Sequence, residues 1–186
     1  MIYSHPLLVG KVDMTAPGYE GTMNAPEPGV TDFLAQLRQL LDKLHAGGDA
    51  SARGQLHRLL INKAGEASLK SYSRYSKFPV GAALLTEDGH VFTGCNVENA
   101  SYGGTICAER TAIVKAVSEG FTKFEMIAVF CQKARDTWPC GICRQFISEF
   151  GSEIEIISEA GDGSIQVLKI ADLLPRMFGP GALEKD

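Results

Sequence analysis

Three thiols and one carboxylate carry the chemistry available to this sequence. Cys107 and Glu109 stand two apart in Cys107-Ala108-Glu109, and Pro139-Cys140-Gly141-Ile142-Cys143 follows later in the chain. Three thiolates can fill three corners of a tetrahedral zinc site and leave the fourth open, which is the layout of a catalytic rather than a structural centre. A carboxylate outside the metal's shell can then take a proton from the metal's water and pass it to a substrate. Glu109 alone reads better as a first-turn partner of a helix dipole. A lone C-x-x-C is open to redox, structural and accidental readings. Cys95 and Cys131, in apolar strand-like runs, are either small buried residues or fourth ligands of a closed structural site. The four histidines have no motif spacing to these cysteines and read as surface residues.

The elements that must position these groups follow from the flanking pattern. A helix is predicted from about 106 to 119, with Thr105 as its cap and Cys107 in its first turn. A second is predicted from Pro139 to about Phe150, because proline suits a first turn where its missing N–H would be orphaned. Cys140 and Cys143, three apart, then share a helix face. Two helix N-termini aimed at one metal favour the thiolate form of cysteine. Glu109 lies ~200° round the helix from Cys107, so both reach the metal only if the helix meets it end-on. Arg110 and Arg144 adjoin ligands. At least one is expected to contact a sulfur and offset the negative charge of a three-thiolate zinc; the alternative for each is a surface ion pair.

The remaining chain reads as an α/β layer. Residues 1–30 are rich in Pro and Gly without periodicity and read as a disordered or draped tail. Phe33, Leu34, Leu37, Leu40, Leu41 and Leu44 mark an amphipathic helix at about 31–45, capped by Thr31 or Asp32 and ended by Gly47-Gly48. A second helix is expected from about 51 to 72. Six basic residues lie between Arg53 and Lys77; the four on the helix do not all share a face and read as a solvated surface. Residues 78–86 and 90–95 form a hairpin through Asp88-Gly89. Strands are expected at 125–131, 153–158 and 164–168, and a short helix at 170–174. A hairpin feeding alternating strands and helices predicts a mixed sheet between helical layers. The domain reading is an extension, 1–50, ahead of a catalytic domain, 51–186.

The 186 residues carry a net charge of −4 and 45% apolar residues, enough for one cored domain. The acidic balance, with no aromatic-basic groove, argues against polynucleotide partners. No apolar run approaches ~20 residues, so no membrane span is expected. No basic residue precedes the short apolar patch Leu7-Leu8-Val9, so no signal peptide is expected. An odd count of five cysteines with three in a metal pattern points to a reducing compartment, the cytoplasm.

Together, C-A-E and P-C-x-x-C give the layout of zinc-dependent nucleobase deaminases. From about Gln55 to Leu183 the sequence resembles the small homotetrameric cytidine deaminases of pyrimidine salvage. The matching stretches are Tyr75 to Ala83 (YSKFPVGAA), Gly94 to Tyr102 (GCNVENASY), Cys107 to Arg110 (CAER), Pro139 to Gln145 (PCGICRQ), Leu173-Leu174-Pro175 and Phe178-Gly179-Pro180. The resemblance implies a three-layer α/β/α fold with a central five-stranded mixed sheet, one Zn²⁺ per subunit, and a homotetramer with shared active sites. It implies deamination of cytidine and 2′-deoxycytidine. Glu109 would be the proton shuttle, Phe78 would line the pyrimidine pocket, and Asn96 and Glu98 would hold the ribose. Asn99, Ala100, Ser101, Tyr102 and Phe178 would reach sites shared between subunits, and Ala108 would offer its N–H to the base. Taken singly, the two phenylalanines read as core packing, and Asn96 and Glu98 as loop caps. Two features depart from the family: Trp138 stands where a small polar residue is common, and residues 1–50 are not covered. Deaminases of other nucleosides or nucleoside antibiotics, and a non-catalytic zinc-stabilised binding protein, are the alternatives.

Overall fold

The computed structural model describes residues 28–47, 50–134 and 136–183. The reading of residues 1–27 as a tail lies outside these. Helix α1 spans Pro28–His45 and α2 spans Ala50–Ser68. Strands β1 (Val80–Thr86) and β2 (Val91–Cys95) form the expected hairpin. There follow α3 (Ala108–Ser118), β3 (Phe124–Cys131), α4 (Gly141–Ser148), β4 (Glu155–Glu159), β5 (Ile165–Lys169) and α5 (Ile170–Leu173). Helix α1 opens three residues before the sequence pattern does, on a proline, which a first turn accommodates.

The five strands lie in the order β2-β1-β3-β4-β5. Only β3 and β4 run parallel, and the other pairs are antiparallel. The sheet is mixed, as the hairpin required. The parallel pair needs a crossover, which α4 supplies.

Both faces of the sheet are covered, which explains the near-continuous apolar run of β1. Alternate residues divide between the two sides. Ala82 and Leu84 join Ala112, Ile113, Ile127, Ile147 and Ile156 in the core on the α3/α4 side. Ala83 and Leu85 join Leu56, Leu60, Met126, Ala128 and Ile157 on the α1/α2 side, together with Leu37 and Leu40 of α1. Helix α1 therefore contributes to the same buried core as α2 and the sheet.

Helix α2 stops at Ser68, four residues short of the expected end. The chain turns there because the Tyr72 backbone is taken by residues 96–98: its N–H donates to Asn96 O and its carbonyl accepts from Glu98 N–H. The basic residues of α2 are partnered rather than merely solvated, since Arg53 pairs with Glu155 and Arg58 with Glu159, both on β4. His57 also departs from its surface reading. It is buried and lies 3.2 Å from Glu155.

Two glycines set how closely the helices approach. A Cβ on Gly81 would stand 1.9 Å from Ala64 O in α2, and one on Gly94 would stand 2.3 Å from Ala108 O in α3. Strand glycines mark such close backbone approach. Gly94 thus lets the leading end of α3 rest directly on β2.

Candidate metal and proton-transfer site

The leading ends of α3 and α4 carry the chemistry. Cys107 is the N-cap of α3 and Cys140 the N-cap of α4, both in extended backbone conformation with no side-chain cap bond. This corrects the expected boundaries: Thr105 does not cap α3, Cys107 is not in its first turn, and Pro139 precedes α4 rather than opening it. The physical reason is visible at both ends. Each cysteine carbonyl already accepts the first helical bond, from Thr111 N–H and Arg144 N–H, while its side chain is left free beside the orphan N–H groups of the first turn. Glu109 and Cys143 sit within those first turns.

The loop before Cys107 is pinned. Val97 and Ile106 exchange both backbone hydrogen bonds, at 2.9 and 3.0 Å, so the chain returns from β2 and delivers Cys107 next to the sheet.

The three sulfurs gather within 4.8 Å of one another, and no other group of three metal-ligating residues does so among the described residues. Cys107 Sγ and Cys140 Sγ are 3.8 Å apart. Tetrahedral zinc with Zn–S bonds of about 2.3 Å would hold its sulfurs about 3.8 Å apart, so the donor set fits zinc. Cys95 and Cys131 stand outside the group; Cys131 is buried, and Cys95 Sγ donates to Lys70 O.

Protonation within the cluster is uneven. The hydrogen bond from the Cys143 thiol, with Arg110 and Cys140 beside it, lowers Cys107 to about 5 against the opposing effect of burial. Cys143 is pushed up by its bond to Cys107 and by burial. Zinc binds the thiolate form, so loading the site would release the protons these thiols carry. Arg110 Nη2 lies 3.7 Å from Cys107 Sγ and donates to Thr105 O at 3.1 Å. Arg144 touches no ligand sulfur; it donates to the carbonyls of Pro139 and Leu173.

Glu109 is 4% exposed and its carboxyl lies beside the Cys107 and Cys143 thiols. Burial raises its pKa above the ordinary carboxylate range, and the Cys107 thiolate adds to the rise. A buried carboxyl poised in this way can hold a proton between two transfers.

A second group of candidates lies at the end of β2. Asn96 Oδ1 accepts from Val80 N–H (2.8 Å) and Ser71 Oγ (2.5 Å), and its amide donates to Phe78 O (2.9 Å). Glu98 accepts from the N–H groups of Tyr75 (2.7 Å) and Ser76 (3.2 Å) and from the Ser76 hydroxyl. The Ser76 hydroxyl, with the two N–H groups, holds the Glu98 carboxyl below its usual range. Phe78, Asn96 and Glu98 are thus joined in one network around residues 71–80. Ala108, the first residue of α3, is buried. Asn99, Ala100, Ser101 and Tyr102 lie exposed on the loop between β2 and α3, and Phe178 is 61% exposed. Trp138 is half-buried against the core on the α3/α4 side.

The sequence assigns no role to Ser71, Ser76, Gly94 or Gln145, although all but Ser71 stand in the stretches that carry the family resemblance. Gly94 carried a readable signal, a glycine inside a strand. The two serines carried none, because a serine's hydroxyl partner is set by tertiary structure. Two surface clefts, one lined by Cys131, Thr137 and Glu159 and one by Ile142, Gln145 and Phe146, do not include the three thiols.

Residues 55–158 match the family model of the cytidine and deoxycytidylate deaminase zinc-binding region. The chain is similar to a cytidine deaminase of Sporosarcina psychrophila, 46% identical over 64% of this chain and 88% of the relative. A probable cytidine deaminase of Dictyostelium discoideum is 49% identical over 63% of this chain and 80% of the relative. The crystal structure of cytidine deaminase from Burkholderia pseudomallei superposes with a TM-score of 0.62 at 46% identity, covering 66% of this chain and 98% of that one. The Mycobacterium tuberculosis structure gives 0.59 at 40% identity, over 66% and 96%.

Proposed function

The chain belongs to the cytidine and deoxycytidylate deaminase family, and from that premise we propose that it hydrolyses cytidine and 2′-deoxycytidine to uridine and 2′-deoxyuridine, releasing ammonia, in cytoplasmic pyrimidine salvage. The observation that carries this reading is the trio of sulfurs at the leading ends of α3 and α4 with the buried Glu109 carboxyl beside them. Cys107, Cys140 and Cys143 would hold zinc, whose chemistry there is Lewis acidity and the acidification of water at the open corner.

The protein's own steps are proton transfers and positioning. Glu109 takes the proton released by the attacking water and delivers it to N3 of the pyrimidine; it then takes the proton of the C4 hydroxyl so formed and gives it to the departing amine, which leaves as ammonia. Its buried carboxyl favours carrying that proton. Arg110 faces the Cys107 sulfur and offsets the charge of the thiolates, while Arg144 and Pro139 hold the Cys140 turn. Ala108 N–H binds the base, and Phe78 and Phe178 stack on it. Asn96 and Glu98 bind the ribose hydroxyls; a carboxylate held ionised at neutral pH is a suitable acceptor for them.

The exposed loop Asn99 to Tyr102 and the exposed ring of Phe178 favour a site completed by neighbouring subunits, in a homotetramer. In this reading residues 51–186 carry catalysis and residues 1–50 form an extension to it. Glu109→Gln should keep one zinc per chain and the wild-type melting temperature while lowering kcat by about 10³-fold, within the usual range for a lost general acid-base. Cytidine turnover followed by ultraviolet absorbance, with metal analysis of the same sample, checks both. Wild-type turnover in that variant would overturn the role of Glu109.

A further inference from the structure

We infer that Gln145 is a positioning residue that sets the place of the Phe178 ring, working with Arg144 as a two-point staple between α4 and the C-terminal segment. The inference rests on the proposed role of Phe178 at the nucleoside. Gln145 Nε2 donates to the Phe178 carbonyl at 2.7 Å. One residue earlier, Arg144 Nη1 donates to the Leu173 carbonyl at 2.9 Å, and its Nε donates to the Pro139 carbonyl at 2.8 Å. Two consecutive side chains of α4 therefore fasten the end of α5 and the segment that follows it, and one also grips the turn that carries the ligand Cys140.

The contrast within Phe178 is what gives the staple a purpose. Its main chain is tied to α4 while the residue is 61% exposed. An aromatic ring left largely in water by a fastened backbone is presented rather than packed. Between the two fastened points Arg176 adopts a positive φ of 56°, a conformation uncommon for a residue with a side chain. The turn it makes needs anchors on both sides to persist. Because Cys140 caps α4 and Cys143 lies in its first turn, the staple references the ring to the same rigid element that positions two of the three metal ligands.

The test is steady-state kinetics with cytidine on Gln145→Glu, Gln145→Lys, Phe178→Ala and the double variant Gln145→Glu/Phe178→Ala, with zinc content measured on each. Glutamate keeps the shape of Gln145 and removes its donors; lysine restores a donor on a long side chain. Loss of one hydrogen bond corresponds to about a tenfold change. Gln145→Glu should raise KM about tenfold with kcat within about twofold and one zinc per chain. Gln145→Lys should recover most of the KM. The double variant should be no worse than Phe178→Ala alone, because both changes act through the same ring. A wild-type KM in Gln145→Glu, or a double variant whose losses multiply, would overturn the inference even if Phe178→Ala raises KM. A wild-type KM in Phe178→Ala would instead overturn the role of Phe178 on which the inference rests. Gln145 is exposed, so these substitutions leave the core intact.

Discussion

Gly81 on β1 and Gly94 on β2 lie one residue out of step on neighbouring strands, since Gly81 pairs with Cys95 and Ala82 with Gly94. They therefore face opposite sides of the sheet. Each lies under helix backbone, Gly81 beneath Ala64 and Ser68 of α2 and Gly94 beneath Ala108 and Ala112 of α3. The device is the same and the consequences differ. On the α1/α2 side the close approach buries Leu56, Leu60 and their neighbours, and no candidate site residue sits on either helix. On the α3 side it fixes the helix end that carries Cys107 and Glu109. One face serves cohesion alone, and the other also positions the residues of the candidate site.

The sharpest way to break that contrast is at the ligands. Cys143→Ala should lose zinc and bring turnover to background, because one partner of a three-ligand set is gone. Cys131→Ala, at a thiol that is also buried but outside the cluster, should keep both zinc and turnover. Metal analysis with an activity assay on the two purified variants decides it. The glycines come next. Gly81→Ala and Gly94→Ala should each destabilise by about 3 kcal/mol, the upper part of the overpacking range, because the added methyl meets backbone that cannot turn aside. Only Gly94→Ala should also weaken zinc, by about tenfold or more in competition with a chelator. Equal zinc affinity in the two variants would mean that α3 is not placed by its contact with β2.

Much of this site could be read from residue order, and the reasons differ by residue. Cys107, Cys140 and Cys143 were legible because metal ligation constrains residue type and spacing together. The mixed sheet was legible from the hairpin around Asp88-Gly89 and the buried runs after it. Helix ends were less so. Placing Cys107 and Cys140 at N-caps requires knowing that their thiols leave the capping N–H groups free, whereas spacing alone favoured the first turn. His57 was misread as surface because its burial depends on Glu155, nearly a hundred residues away. Gln145 stood inside a quoted motif, but its partner is a backbone carbonyl, which sequence does not distinguish from any other.

The cohesive face offers a smaller test. Leu37 of α1 is 2% exposed among α2 and sheet residues, although α1 lies outside the family match at 55–158. Leu37→Ala should cost about 2–4 kcal/mol, as for other buried leucines. Zinc content and KM should not change. A denaturant melt and a kinetic assay on the same preparation separate the two. A change in KM would show that α1 reaches the site through α2 and the sheet, and the two faces would no longer be independent.

The smallest effect expected on that face comes from Glu155, where α2 meets β4. Its carboxyl accepts from Arg53 at 2.7 Å and lies 3.2 Å from His57. His57, with Arg53, lowers its pKa from 4.5 to about 2. A carboxyl whose pKa is lower folded than unfolded stabilises the fold above the unfolded value, and that contribution is lost as the pH falls through the folded one. The window here runs from about pH 4.5 down to about 2. The full shift would exceed 3 kcal/mol at about 1.4 kcal/mol per unit, but Arg53 is 40% exposed, and solvent screening reduces the pair to about 1–2 kcal/mol. Glu155→Gln should therefore be less stable than the native chain by that amount at pH 7, and the gap should close as urea melts are taken from pH 4.5 toward pH 2.5. A gap that stayed constant across the window would mean that Glu155 acts by shape and hydrogen bonding alone. Zinc release in acid weakens both proteins equally, since Glu155 touches no ligand. The difference between them isolates the α2–β4 contact from the chemistry on the opposite face.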